Sequence, residues 1–317
     1  MTGTSSTLRD RVVGCVLGLA LGDALGAPFE FRRAHDVPSP IPALELPWMG
    51  RSPGSTTDDT AMAMNLVGSL AEGGALDVDD VVRRHLEWFA SDPPDVGTLT
   101  RRVLARAAGG TPAADAAREV WEERGPEVSA GNGSVMYCAP LGAAYANRRD
   151  ALLHEAPRLS GITHHDERCR TAVLAVTLAV AALVRGEGPS RALEDAVGTT
   201  IDRPGGEELE FLVEAAGKKR PVDGPDQGFV LFTAGLGLQA LARVADREVA
   251  PEGVERELRR IVLLGGDTDT NAAVAGALMG AAAGAGRLPG GWLDRLQGRL
   301  EIRAEAERLV PLAELHE

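Results

Sequence analysis

Residues 7–27 read TLRDRVVGCVLGLALGDALGA, with Gly14, Gly18, Gly22 and Gly26 at every fourth position. On a helix of 3.6 residues per turn, a four-residue step keeps these glycines on one nearly continuous ridge. Glycine costs a helix roughly 1 kcal/mol against alanine. Four on one face therefore predict that another backbone approaches closely there and that this helix is central. Asp23 stands in it among glycine, alanine and leucine. We read it as structural, capping a neighbouring helix, rather than as a ligand.

Outward from this stretch, Pro38, Pro40, Pro42, Pro47 and Pro53 mark an irregular connection. Beyond it, apolar spacings of three and four predict helices at about 59–72, 77–90, 98–108, 112–123, 134–147, 166–185 and 189–200. Others follow at about 206–216, 229–246, 252–264, 271–285 and 291–310. No run of alternating strand residues appears. Aromatic residues make up only 4% of the chain and apolar residues 44%, so the core must be built mostly from alanine, leucine and valine. That favours close-packed helices over a sandwich of strands. Residues 202–228 are polar and could pass for a linker, but the notable segments run from Gly22 to Asn271. The expectation is a single all-α domain over residues 1–317.

The net charge of −13 disfavours a phosphate-backbone partner, and the densest basic run, Lys218-Lys219-Arg220, reads as a solvated loop. Cys15, Cys138 and Cys169 are an odd number without zinc spacing, as expected of reduced thiols. Val12-Val13-Gly14-Cys15 resembles a lipoprotein cleavage box, but the residues before it are polar, and Asp23 cuts short the apolar run that follows. The run Thr171–Val184 is too short to span a bilayer. These features predict a cytoplasmic protein with no membrane or nucleic-acid partner.

Two acidic clusters carry the chemistry: Ser55-Thr56-Thr57-Asp58-Asp59-Thr60 and Gly265-Gly266-Asp267-Thr268-Asp269-Thr270-Asn271. Each places two carboxylates within three residues, beside threonine hydroxyls, where an apolar helix begins. One acidic pair alone reads as a helix cap and a solvated first turn. Two matched pairs point to the halves of one metal site. Oxygen donors without histidine or cysteine suit Mg²⁺ or Mn²⁺ better than Zn²⁺. A phosphatase aspartate is excluded, because Gly265-Gly266 separate Asp267 from any strand and Asn271 stands where threonine is needed. A calcium loop is excluded by Ala272 and Leu278 in place of the required glycine and glutamate.

Beside these clusters stand GDALGAPFEF (22–31), DVGTLTR (95–101), GNGSVMYCAP (131–140), ITHHDERC (162–169) and GFVL (228–231). Together with STTDDTAM (55–62) and GGDTDTNAAVAGAL (265–278), they resemble the ADP-ribosylglycohydrolases, in family order and over nearly the whole chain. The resemblance implies an all-α fold with two Mg²⁺ or Mn²⁺ ions in a cleft, held by Thr57, Asp58, Asp59, Asp267, Asp269 and Thr270. It places Glu30 at the family's glutamate position and, with Asp58, Asp59 and Asp95, among the catalytic residues. Gly131-Asn132-Gly133-Ser134 suits a diphosphate cradle, since glycines let backbone N–H groups approach an anion at a helix N-terminus and Ser134 adds a hydroxyl. Met136 follows in the same motif, and Tyr137 stands where the family usually has arginine. His164 matches a histidine near the nucleotide, with His165 expected at the surface, and Phe229 an aromatic that could stack on adenine.

Asp95-Val96-Gly97 resembles the arginine-specific and nitrogenase-reductase branches. The implied reaction is hydrolysis of the N-glycosidic bond between C1″ of the distal ribose and an arginine guanidinium of an ADP-ribosylated protein. An O-linked serine adduct, a free ADP-ribose conjugate and a non-catalytic ADP-ribose-binding relative are the alternatives. The oligomeric state stays open.

Overall fold

The computed structural model describes residues 7–214, 222–244 and 249–316. The glycine-ridged helix is α1 (Leu8–Gly26), followed by α2 (Asp58–Gly73), α3 (Val78–Ala90), α4 (Thr98–Ala108) and α5 (Ala113–Arg124). Next come α6 (Ala139–Ala144), α7 (Arg149–Ser160), α8 (Glu167–Arg185), α9 (Pro189–Thr200), α10 (Gly206–Glu214) and α11 (Val230–Val244). The last are α12 (Pro251–Val262), α13 (Thr268–Ala283), α14 (Gly290–Leu293), α15 (Arg299–Glu307) and α16 (Val310–Ala313). The fold is all-α, and its only sheet among the described residues pairs β1 (Arg32–Arg33) with β2 (Gly265–Gly266).

Every residue of α1 from Val12 to Gly26 is buried. A helix apolar all round has no solvent face to give. The backbone expected against its ridge is that of α13, running antiparallel. A Cβ added to Gly18 would lie 2.1 Å from the Gly276 carbonyl oxygen, and one on Gly22 would lie 1.9 Å from that of Ala272. The demand is mutual: a Cβ on Gly276 would lie 2.1 Å from the Gly18 oxygen. Because the obstacle is main chain on both sides, a side chain cannot swing away. Gly22→Ala should therefore destabilise the fold by about 3 kcal/mol or more, as overpacking does in rigid cores. Gly73→Ala, with nothing within 4 Å of an added Cβ, is the control in the same melting experiment.

The ridge ends at the second acidic cluster. A Cβ on Gly26 would lie 2.4 Å from the Asp269 Cα, and the Thr268 hydroxyl donates to the Gly26 carbonyl at 2.9 Å. The contact that builds the core thus also fixes where α13 presents its aspartates.

Three expectations need correction. Residues 149–160, unassigned from the sequence, form α7, which carries Pro157 and has no side-chain cap. The helix expected at 134–147 is only α6, after a run of turns. The helix expected at 291–310 is broken into α14, α15 and the start of α16. Gly298, with φ +69°, stands between the first two, because a left-handed residue cannot continue a helix. The Lys218–Arg220 run lies outside the described residues.

Helices α4 and α5 stand on a small apolar cluster of their own, Val103, Ala116, Ala117 and Val120 with Leu99 packed against it. This hairpin forms one wall of the cleft described next.

Candidate functional site

Asp23 organises the first half of the site. Its carboxylate accepts from the Thr57 N–H at 3.0 Å, from the Thr60 N–H at 3.1 Å and from the Thr60 hydroxyl. These are donors at the open end of α2, which a buried carboxylate satisfies well. Burial pushes Asp23 up to about 6, opposed by those hydrogen bonds from Thr60 and Thr57. Thr57 caps α2, its hydroxyl accepting from the Asp59 N–H at 3.3 Å and donating to Asp59 Oδ2 at 3.1 Å. The Thr270 hydroxyl reaches the same Asp59 Oδ2 at 3.5 Å, so the two clusters of the sequence meet around Asp59.

The second half depends on the β1–β2 pair. Gly265 and Gly266 have φ of +68° and +77°, and a Cβ on Gly265 would lie 2.6 Å from the Arg32 oxygen. Only glycine fits this turn. The pairing of Arg32 with Gly266 carries Glu30, just before β1, next to Asp267, just after β2. Glu30, Asp267 and Asp269 each offer a carboxylate oxygen, all within 4.8 Å of one another. Reasoning from the sequence placed Glu30 among catalytic groups; the fold brings it into the acidic cluster.

Burial, and then the neighbouring carboxylates, push Asp58, Asp59 and Asp269 well above the usual carboxylate range. Glu30 is pushed up to about 8 by burial and by Asp267, Asp95 and Asp23, against a hydrogen bond from the Trp48 side chain. Asp59 Oδ1 and Asp269 Oδ1 are buried without any hydrogen-bond partner. Buried acceptors of this kind are costly unless a cation takes them up. An all-oxygen donor set with two orphaned carboxylate oxygens fits a hard divalent metal ion.

Asp95 enters from the loop between α3 and α4. Its Oδ2 accepts from the Asp58 N–H at 2.9 Å, while Gly97 donates to Asp58 Oδ2 at 3.4 Å. Burial raises the Asp95 carboxyl, against its backbone hydrogen bonds and the charges of Arg51 and Arg101.

From these acids a cleft of about 740 Å³ runs to a wall of Gly131, Asn132, Gly133, Met136, His164 and Phe229. His164 is buried and its pKa is pushed down to about 4 by burial, so the ring is neutral, with Nδ1 at 2.9 Å from the Thr163 hydroxyl. The glycines of the loop give it room: a Cβ on Gly133 would lie 2.8 Å from His164 Cε1. Phe229 packs edge-on to Phe232 and has the Arg168 guanidinium 5.6 Å from its ring centre. His165 is half-buried against Trp121 rather than at the surface.

The cradle differs from its sequence reading in three respects. The Ser134 hydroxyl is fully buried and paired with that of Ser160 at 3.0 Å, so it faces the core. The Asn132 N–H already donates to the Gly228 carbonyl. Turns, not a helix, follow the loop, so the expected helix N-terminus does not continue from it. Tyr137, like Ser134, is core, fully buried and edge-on to His85.

Asn132 has a different part, which sequence reasoning missed. Its Nδ2 donates to Asp267 Oδ2 at 2.9 Å and to the Thr233 hydroxyl at 3.0 Å, and that hydroxyl donates to Asn271 Oδ1 at 2.7 Å. This chain orients Asp267 from the far wall. Trp48 and Arg168 were missed too. Trp48 stands in a proline-rich connection without periodic signal, whereas Arg168 lies two residues after Asp166, which it clamps at 2.8 Å.

The profile of the ADP-ribosylglycohydrolase family matches residues 4–317. The chain is 32% identical to the ADP-ribosyl-(dinitrogen reductase) glycohydrolase of Rhodospirillum rubrum, covering 99% of this chain and 100% of that one. It is 29% identical to the ADP-ribosylhydrolase ARH3 of Bos taurus, over 94% and 92% of the two chains. The ADP-ribosylarginine hydrolase Tri1 of Pseudomonas putida is 24% identical, over 98% and 81%. A solved structure described as an ADP-ribosylglycohydrolase-related protein complex superposes with a TM-score of 0.78 at 34% identity, covering 96% of this chain and 99% of that one. With the full length matched and the acidic cleft in place, the chain belongs to the ADP-ribosylglycohydrolase family.

Proposed function

We propose that this protein removes mono-ADP-ribose from arginine side chains of modified proteins, hydrolysing the N-glycosidic bond at C1″ of the distal ribose. The observation that carries the reading is Asp95, set against Asp58 N–H in the cleft that also holds Glu30, Asp267 and Asp269. A guanidinium stays protonated at neutral pH and presents a planar fork of donors that a carboxylate accepts well. Asp58 and the Asp95 backbone N–H take two acceptor sites of the Asp95 carboxylate, which has about four. It therefore holds the leaving group while keeping its own position.

Thr57, Asp58, Asp59, Asp267, Asp269 and Thr270, joined by Glu30, would hold two Mg²⁺ or Mn²⁺ ions. When bound, these ions supply Lewis acidity and offset the charge of the carboxylates. Asp58 and Asp59 oppose the positive charge that builds on the ribose ring in an oxocarbenium-like transition state. At the other end, Gly131, Gly133 and neutral His164 receive the diphosphate and Met136 and Phe229 the nucleotide, so remote binding positions the reacting carbon.

Gly133→Val is expected to weaken ADP-ribose binding about tenfold or more, because its side chain must displace His164 from the wall. Calorimetric titration with wild-type affinity would move the diphosphate elsewhere. The reaction itself is tested by incubating the protein with arginine- and serine-modified proteins, with and without Mg²⁺. Metal-dependent release from arginine is the expected result. Faster release from serine, or ADP-ribose binding with no release from either, would overturn it.

A further inference from the structure

Two side chains combine a strained backbone with solvent exposure. Phe31 is 61% exposed at φ +60°, and Met49 is 63% exposed at φ +43°. Among the described residues, no other large apolar side chain is both exposed and left-handed. A left-handed φ is unfavourable for any bulky side chain, and an exposed ring or thioether gains nothing from burial in return. Folding alone would favour glycine at both positions. Strain of this kind gathers where a surface binds something.

Both positions are tied to Glu30. Phe31 follows it directly, and its N–H donates to the Gly266 carbonyl at 2.7 Å. Met49 follows Trp48, whose side chain hydrogen-bonds Glu30 and whose backbone exchanges two hydrogen bonds with Arg51. Phe31 lines the cleft alongside Asp58 and Asp95.

The geometry points to Phe31 and Met49 as the surface that receives the polypeptide carrying the modified residue, an inference that rests on the arginine reading above. The ADP moiety runs toward His164 and Phe229, so the protein part of the substrate leaves by the acidic end. That end suits one chemistry. An arginine brings a cation, which Asp95 and its acidic neighbours attract into the cleft. The residues flanking it in the modified chain then pass over Phe31 at the cleft and reach Met49 beside Trp48, the partner of Glu30.

The test compares an arginine-ADP-ribosylated protein with ADP-ribosylated agmatine, a guanidinium that carries no polypeptide. Phe31→Gly and Met49→Gly, alone and together, relax the left-handed backbone, so their melting temperatures should not fall below wild type. The double variant is expected to raise KM for the modified protein at least tenfold. Its ratio of kcat/KM for the protein to that for the agmatine adduct should fall at least tenfold. An equal loss on both substrates, or no loss on either, would overturn the proposal while leaving the arginine reading in place. Wild-type protein that cleaves neither substrate would remove the arginine reading and this proposal with it. Phe31→Asn and Met49→Asn, polar yet tolerant of positive φ, repeat the measurement if the glycine variants melt early.

Discussion

Asp95→Asn is expected to slow release of ADP-ribose from arginine by roughly thirty- to several-thousandfold, since losing one partner of a buried, hydrogen-bonded charge pair costs about 2–5 kcal/mol. The substitution is nearly isosteric, and its amide oxygen can still accept from the Asp58 N–H, so the start of α2 keeps its partner. What is lost is the charge that holds a guanidinium. Metal content and ADP-ribose affinity should therefore stay close to wild type while turnover collapses. Metal analysis, calorimetry and a release assay on one preparation separate these effects. Full arginine activity in Asp95→Asn would end the assignment. Asp95→Ala is the less informative variant, since it also strips the hydrogen bond from Asp58.

Asp58→Ala or Asp269→Ala should abolish metal binding and nearly all hydrolysis, yet leave the helices folded. Electrostatic stabilisation by a bound cation amounts to several kcal/mol, and about 4 kcal/mol is already roughly a thousandfold in rate. The fold should survive because the α1–α13 contact, not an ion, builds the core. EDTA should inhibit, with Mg²⁺ or Mn²⁺ restoring activity better than Zn²⁺. Unchanged metal occupancy in both variants would rule out a site shared between the clusters.

The same carboxylates set a pH dependence. In the metal-free protein Glu30, Asp58, Asp59 and Asp269 bind protons more tightly folded than unfolded. Their contribution to stability is therefore fully present below about pH 4, where unfolded carboxyls are protonated, and is lost as pH rises through the folded values. Glu30 places the upper part of that window near pH 8. Metal-free protein should melt at progressively lower temperature from pH 5 to 8. Added Mg²⁺ or Mn²⁺ should raise the melting temperature most at the top of that range, because cations and protons compete for the same oxygens. A melting temperature independent of both pH and metal would contradict the burial of these acids.

Much of this was legible in residue types alone. Four glycines at helical spacing have few uses other than to admit a second backbone, so the ridge of α1 declared its contact without naming α13. Paired aspartates at two helix starts declared the acidic cluster. Other features depended on tertiary structure. Glu30 joins the cluster through a pair of two-residue strands, too short to show alternation, made possible by positive φ at Gly265 and Gly266. Ser134 turns toward Ser160 because of the turns after Asn132, which apolar spacing read as helix. Helix α7 hid behind Pro157 and an uncapped start. Phe31 closes the GDALGAPFEF stretch, but its exposure and φ, like those of Met49, are properties of the folded chain and cannot be read from residue types.

The α1–α13 contact has a consequence for synthesis. Gly26 and its partner Thr268 are 242 residues apart. At 5–20 residues per second, a ribosome needs roughly ten to fifty seconds to cover that separation. Throughout that interval the segment Leu8–Phe29, long and apolar enough by composition to cross a bilayer, lacks the α13 backbone that its glycine face needs. Contacts of such long range also make for slow folding, because the intervening loop must close before they return anything. The helix at the centre of the finished fold thus waits, while the chain is being made, for a partner that is among the last helices to be synthesised.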